Sequence, residues 1–464
     1  MNRRTFLKTS AAFSAAALLT KAQPARTAAL PARRDFLIRD AYVLTMDRSL
    51  GEVPGGSIHV RNGEIVAVGK NLKAPAAEVI DGRGMIALPG LVDTHWHMWN
   101  TLLRSFAGDQ RGEGYFDRRD RYGKVMTPED MYQGTRLAAL EAINAGITTV
   151  HDWCHNVRGL AYAEQDLRAL RESGLRARWS YGSYPGLTAA ENVNLADLEK
   201  LHAAWPAHSG GGLIALGLAW RGLGTSPAIS RQEFEAARHL RIPISVHVSS
   251  TEPAIGQIEA LGKAGFLGQD VQLIHAVWAT PTEIRMVADA GASVSVSPGS
   301  ELRVGYGIPR AGEFMDAGVP LGISIDTVDL TGNANLFGVL KLLRNTENAR
   351  AKSEYKMTAK RALEVGTIDG ARSLGLDARI GTLQPGKRAD LILVSTRNPD
   401  MGVFTDPSHL LIEATEEADV DTVVVDGRIL KRGGKPIAAS PGEVISGASA
   451  ALAAIRQRAG DKVE

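Results

Sequence analysis

A chain of 464 residues with 44% hydrophobic and 22% charged side chains has the makeup of a soluble globular protein long enough for one large domain and a smaller one. Fifty-three basic against fifty-one acidic residues leave a formal charge of only +2, and no basic block interleaved with aromatics follows the N-terminus, which argues against nucleic acid as a partner. The single cysteine, Cys154, excludes an intramolecular disulfide and any multi-cysteine zinc or iron–sulfur site, so histidines and carboxylates must hold any metal.

At the start, Arg3-Arg4-Thr5-Phe6-Leu7-Lys8 precedes an apolar run over 11–20 and small residues around Ala22. The segment 1–30 reads as a removable signal peptide, because the run is shorter than the roughly 20 apolar residues a bilayer span needs. Paired arginines with Phe and Leu behind them resemble a twin-arginine export signal, whose route carries proteins already folded. The expectation is a periplasmic or otherwise exported protein with no stable membrane insertion after signal removal; a helix retained as an anchor is the alternative. One lone cysteine agrees with an exported protein.

From 35 to 90, short alternating segments such as Phe36-Leu37-Ile38-Arg39, Ser57-Ile58-His59-Val60 and Gly63-Glu64-Ile65-Val66-Ala67-Val68 are separated by Gly and Asp turns and read as strands. A matching set returns over 377–436, in Ala389-Asp390-Leu391-Ile392-Leu393-Val394 and in 420–427. The two sets flank the middle of the chain and are placed to pair with each other. A tail over 437–464 is expected to be helical in its Ala-rich stretch 441–458.

Between these flanks, over 91–376, short apolar runs alternate with longer amphipathic stretches, as in βα units around a parallel sheet. Eight strands are predicted, at 91–97, 147–153, 176–184, 213–220, 243–250, 271–278, 293–298 and 320–326, with helices such as 128–145, 281–290 and 358–373 between or after them. A closed (β/α)8 barrel fits this better than an open doubly wound sheet, since polar residues of metal-binding type recur at the same end of the strands.

The first of these strands ends Val92-Asp93-Thr94-His95-Trp96-His97, and residues two apart in a strand share a face, so both imidazoles aim at one point. Alone, such a pair is a common surface feature. Three further strand ends change its weight: Ile244-Ser245-Val246-His247, Leu273-Ile274-His275 and Ile323-Ser324-Ile325-Asp326. Catalytic residues of a barrel sit at these C-terminal strand ends. Neutral imidazoles and a carboxylate suit a divalent ion such as zinc with a position left for water, and iron or manganese accept the same donors.

The order of His95-x-His97 after Leu88-Pro89-Gly90-Leu91-Val92-Asp93, then His247, His275 and Asp326, resembles the amidohydrolase superfamily. Within it the chain is most similar to the branch containing cytosine, guanine and S-adenosylhomocysteine deaminases and triazine chlorohydrolases. The resemblance covers essentially the whole mature chain. It implies an α/β fold, a (β/α)8 TIM barrel with a small composite β-sandwich from both chain ends that includes the stretch Gly381-Thr382-Leu383-Gln384-Pro385-Gly386-Lys387-Arg388-Ala389-Asp390-Leu391. One divalent ion would be held by His95, His97, His247 and Asp326, with His275 beside it in a polarising role. Water on such an ion loses a proton near pH 7, giving a hydroxide nucleophile; Asp326 would take the proton, and His275 would stabilise the developing charge. A single ion is implied, because the lysine or glutamate that bridges two ions on strand four is missing from 213–220. Homo-oligomers are common in the superfamily and are expected here.

The pattern breaks at three places. Deaminases of this branch carry a glutamate three residues after the fifth-strand histidine, where this chain has Ser250. A His-x-Pro-Tyr-Thr type loop after strand four is replaced by Trp220-Arg221-Gly222-Leu223-Gly224-Thr225, and a usual Pro-x-Ser-Asn by Pro298-Gly299-Ser300-Glu301. Serine cannot deliver a proton as a carboxylic acid can near neutral pH. Glu301 either supplies the missing carboxylate from a neighbouring strand or is a surface residue pairing with Arg303.

Around the strand ends, His155 and Trp99 are candidate substrate contacts with Glu301, whereas Asp152 and His151 read as structural and Cys154 as a small buried residue. Trp96, Trp99, Trp153, Trp220 and Trp278 all fall near strand ends and offer a wall for a flat ring. The leading reading is a hydrolase of non-peptide C–N bonds acting on a small cyclic or aryl-substituted molecule. Its rivals are hydrolysis of a carbon–halogen, ester or carbamate bond by the same site, and a non-catalytic metal- or ligand-binding protein on the same scaffold.

Overall fold

The computed structural model describes residues 30–461. The signal-peptide segment lies outside the described residues. Among those described, no helix is long and apolar enough to cross a membrane.

Eight parallel strands close into a barrel: Leu91–Trp96, Ile147–Cys154, Arg176–Tyr181, Ile214–Trp220, Ile244–Val248, Val271–His275, Ser293–Val296 and Leu321–Ile323. Helices cover the outside, so both faces of each strand are shielded and a strand such as Ile147–Cys154 is buried at every residue. That is why these strands read as continuous apolar runs and not as alternating ones. Of the helices between them, Pro128–Asn144 is started by a Thr127–Asp130 capping box with proline in its first turn, and Pro281–Ala290 by the same device at Thr280 and Glu283.

Several strands stop short of the limits the apolar runs suggest. Strands five and six end at Val248 and His275, where the backbone swings to positive φ at Ser249 (48°), His275 (71°) and Ala276 (49°), and strand eight ends at Ile323, ahead of Asp326 (63°). A residue in that conformation leaves the β region and ends the ladder. The helix expected over 358–373 is also broken, into Ala359–Glu364, a wide π turn over Val365–Asp369 and Gly370–Ser373. Gly370 packs where a Cβ would sit 3.1 Å from Val92, so the broken helix lies directly on the first barrel strand.

Strands from both chain ends share one nine-stranded mixed sheet. Its seam is the antiparallel pairing of Met85–Pro89 with Leu391–Ser395, in which Leu88 faces Ile392. Phe36, Ile38, Ile58, Val60, Leu391 and Val424 form a core of its own beside the barrel's. A buried ion pair joins the two: Arg176, on the third barrel strand, donates to Asp390 at 2.6 Å, and Asp390 also accepts the backbone N–H of Asp426 at 2.8 Å.

The tail is not loose. Helix Pro441–Arg458 buries Val444, Ala448, Ala451 and Ile455 and packs on Pro128–Asn144. Just beyond it, Asp461 accepts from the Tyr122 hydroxyl at 2.7 Å and pairs with Arg121, fastening the short helix Tyr115–Gly123 that follows the first barrel strand.

Candidate metal centre and active site

The barrel closes where Ile323 pairs with Asp93 and Trp96 bridges Asp326. The buried Asp93 carboxylate accepts the backbone N–H groups of His95 at 3.1 Å and Ile325 at 2.8 Å, tying the first strand to the last. Closure therefore sets the HxH motif against the last-strand aspartate. Asp326 Oδ1 lies 3.2 Å from His95 Nε2 and 3.4 Å from His97 Nε2. The fifth strand brings the His247 ring to 4.8 Å from that of His95 and 5.4 Å from that of His97. Nitrogens of His95, His97 and His247 all fall within 4.8 Å of one another, as do donor atoms of His95, His275 and Asp326.

This donor set fits a divalent ion. His95 is fully buried, and despite its approach to Asp326 neither ring nitrogen makes a hydrogen bond of acceptable geometry. An unpaired imidazole in a protein interior is costly, and a cation bound there removes the cost. His97 shows the support expected of a ligand, its Nδ1 lying 2.9 Å from the Trp153 carbonyl oxygen, which leaves Nε2 for the cluster. Burial is the first cause holding the His95 and His247 imidazoles below their ordinary range, and it brings His97 down to about 3. All are thus neutral, the form that coordinates metal. Burial pushes the Asp326 carboxyl up, but its contact with His95 and the charge of His275 outweigh that and hold it below its ordinary range.

His275 stands beside this group, 5.2 Å from the His247 ring and 5.8 Å from the His95 ring, centroid to centroid. Its Nδ1 lies 3.0 Å from Glu301 Oε1. Burial would lower this imidazole, yet the Glu301 hydrogen bond and the Asp326 charge raise it; burial raises the Glu301 carboxyl in turn.

A cavity of about 370 Å³ opens over the cluster, lined by His97, His155, His247, His275 and Asp326 at its floor. Trp153, Trp220, Tyr184 and Tyr306 give it aromatic walls, with Ser250 and Arg221 among the polar ones. Helix Tyr115–Gly123 adds Tyr115, Phe116 and Arg119, whose guanidinium lies 5.3 Å from the Phe116 ring centroid.

His155 is on the cavity wall, its ring 4.1 Å from that of His97. Trp99 is not. It is buried beneath, where its Nε1 donates to His155 Nδ1 at 3.4 Å, so it supports a lining residue and does not face substrate. The reason is local: Met98–Leu103 is a 3₁₀ helix, and strand alternation no longer governs where Trp99 points. Glu301 also lies off the cavity, fully buried behind His275, and Arg303 pairs with Asp109 at 3.1 Å. Both the direct substrate contact and the surface-pair reading of Glu301 are corrected by this placement. Of the five tryptophans near strand ends, only Trp153 and Trp220 reach the cavity; Trp278 donates to the Tyr306 carbonyl at 2.7 Å. His151 is structural, its nitrogens 3.0 Å from the Thr94 carbonyl and 2.8 Å from the Ser180 hydroxyl. Burial pushes the Cys154 thiol well up, which leaves it inert. Tyr115, Phe116, Arg119, Tyr184, Arg221 and Tyr306 escaped sequence reasoning as wall residues; the run Tyr115-Phe116-Asp117-Arg118-Arg119 just downstream of the HxH motif was the available signal.

Residues 86–430 match the model of the amidohydrolase family. This chain belongs to that family. The amidohydrolase is 30% identical over 414 residues to a 5'-deoxyadenosine deaminase of Methanosarcina mazei, spanning 85% of this chain and 92% of that one. It is 31% identical over 420 residues to a 5-methylthioadenosine/S-adenosylhomocysteine deaminase of Moorella thermoacetica, spanning 86% and 95%. Among solved structures, the fold is shared by an adenosine deaminase from Xanthomonas campestris with bound zinc, at a TM-score of 0.82 and 23% identity over 92% of this chain and 100% of that one. The amidohydrolase is a metal-dependent hydrolase acting on carbon–nitrogen bonds other than peptide bonds.

Proposed function

We propose that this amidohydrolase deaminates the amino-substituted ring of an adenine-type nucleoside, with one zinc ion held by His95, His97, His247 and Asp326. The observation that carries the reading is the convergence of those donors beneath an aromatic-walled cavity of about 370 Å³. That the curated relatives are named for deaminating adenine nucleosides supports the substrate class. Barrel strand Ile214–Trp220 offers no lysine or glutamate to bridge a second ion, which supports a single one.

A zinc ion held by these residues would lower the pKa of water to about 7 and so make a nucleophile available at neutral pH. The chain's own residues do the rest. Trp153, Trp220 and Tyr306 hold a flat ring by stacking and edge contacts and exclude bulk water. The ionised Asp326 carboxylate receives the proton given up by the attacking water and passes it towards the departing amine. His275, whose Nδ1 is engaged by Glu301, is left with Nε2 for the cavity, where it stabilises charge developing on the attacked carbon's substituents. Ser250 on the wall lacks a carboxyl group, and this favours a second reading in which another group leaves from a similar ring.

The test is elemental analysis of the purified protein together with turnover of adenosine, 5'-deoxyadenosine and halogenated or acylated ring compounds. About one zinc per chain and ammonia released from a nucleoside is the expected result. Release of halide, alcohol or carboxylate in place of ammonia would overturn the deaminase reading in favour of the second, and iron or manganese as the bound ion would correct the metal. We further propose export of the folded chain by the Arg3-Arg4 segment; fractionation that finds the protein with its leader intact in the cytoplasm would overturn that.

A further inference from the structure

We propose that Glu301 is a positioning residue: held behind His275, it fixes that imidazole as the Nδ1–H tautomer with Nε2 towards the reacting atoms, so that this site keeps its second carboxylate one residue back from the substrate. The proposal rests on the hydrolase reading of the site above.

Four observations carry it. Glu301 Oε1 and His275 Nδ1 are 3.0 Å apart in a pair whose side chains are 0% and 3% exposed. The same Oε1 accepts the backbone N–H of Ser297 at 2.8 Å, so the carboxylate is anchored by the end of strand seven before it meets the imidazole. Its other oxygen, Oε2, is buried without a hydrogen-bond partner, and among the described residues no lysine or arginine pairs with it. A carboxylate this deep and this poorly compensated is expensive, and nothing in the packing asks for its charge. Lastly, His97 in the same site is oriented by a backbone carbonyl at 2.9 Å, which shows that an imidazole here can be aimed without a carboxylate.

A side-chain amide would aim the His275 ring as well, but it can turn either its oxygen or its NH2 group towards Nδ1. What a carboxylate adds is a strong preference for the tautomer that donates from Nδ1, and stabilisation of positive charge on the ring as the reaction proceeds. This also accounts for two departures together. Ser250 on the cavity wall offers no carboxyl group where the resemblance implies one, and the chain's carboxylate appears after strand seven, two strands along, reached through an imidazole.

The experiment uses the zinc-loaded full chain with ¹⁵N-labelled histidine, and the variants Glu301→Gln and Glu301→Asp. Long-range ¹⁵N spectra should show His275 with its proton on Nδ1, and Glu301→Gln should lose that bias while keeping its zinc. With any substrate that turns over, Glu301→Gln should lower kcat on the order of 100-fold with KM within about twofold, and Glu301→Asp should restore part of the loss. His275 protonated on Nε2 in the parent protein would overturn the proposal even if no substrate is found. Unchanged kcat in Glu301→Gln would overturn it too, as would activity lost only in proportion to lost zinc. Failure of every nucleoside to react bears on the substrate class alone, since the tautomer is read without turnover.

Discussion

His95 and Asp326 hold each other across the barrel's closing seam: the Asp326 N–H donates to the His95 carbonyl at 2.9 Å while the two side chains meet at 3.2 Å. The His97 N–H then donates to the Asp326 carbonyl at 2.7 Å, so backbone and side chains of these residues are placed by one set of bonds. Replacing His95 by Ala should remove the ion and cut turnover at least 100-fold, on the order seen when metal support is lost, with the fold kept. Metal content and circular dichroism measured on the same preparation check both halves.

The clamp on the cavity's outer wall predicts a binding effect from a distant residue. Asp461→Ala removes the acceptor of the Tyr122 hydroxyl, a bond worth about 1 kcal/mol. Helix Tyr115–Gly123 should then loosen, raising KM about fivefold with kcat nearly unchanged. Steady-state kinetics decide this, and a fall in kcat with KM constant would count against it.

Arg176 and Asp390 form a buried pair between barrel and sheet, with side chains 3% and 2% exposed. Arg176→Met leaves Asp390 buried without its cation, and the expected cost is about 3 kcal/mol. Denaturant melts should show a lowered midpoint, while the metal content at low denaturant stays that of the parent.

Acid sensitivity should come partly from Asp426. Burial pushes its carboxyl up, but hydrogen bonds from Arg33, Arg388 and Arg428 outweigh this and hold it below its ordinary value. A depressed folded-state pKa contributes stability that is complete above the unfolded value of about 3.9 and is lost as pH falls through the folded one. The melting temperature should therefore drop below about pH 4, and Asp426→Asn should have a lower melting temperature at pH 6 with a shallower decline towards pH 3. Equal slopes for the two proteins would rule out this carboxyl as a contributor.

The eight barrel strands and the histidines and aspartate at their ends were legible in the sequence because each ends a short apolar run, a pattern that parallel strands covered on both faces impose. Strand limits were less so: the positive φ at Ser249, His275 and Ala276 leaves no mark on apolar periodicity. Glu301 was misread for a geometric reason. Glu301 and Arg303 are two apart on helix Pro298–Arg303, and residues so spaced face different sides, one into the barrel and one to solvent. Arg119 and Tyr306 lie on segments whose course depends on what they pack against, so only the fold brings them to the cavity.

The closing seam also orders events in time. His95 and His97 belong to the first barrel strand and its end, and Asp326 to the end of the last, so a chain emerging from the ribosome carries half a site until more than two hundred further residues, 98–325, have been made and folded between them. Ion capture is then a late step that only a finished barrel can perform, and the bound ion, by linking the two ends of the circle, resists its reopening. Metal occupancy would serve as a readout of complete folding, and stripping the ion should let the barrel open first between its first and eighth strands.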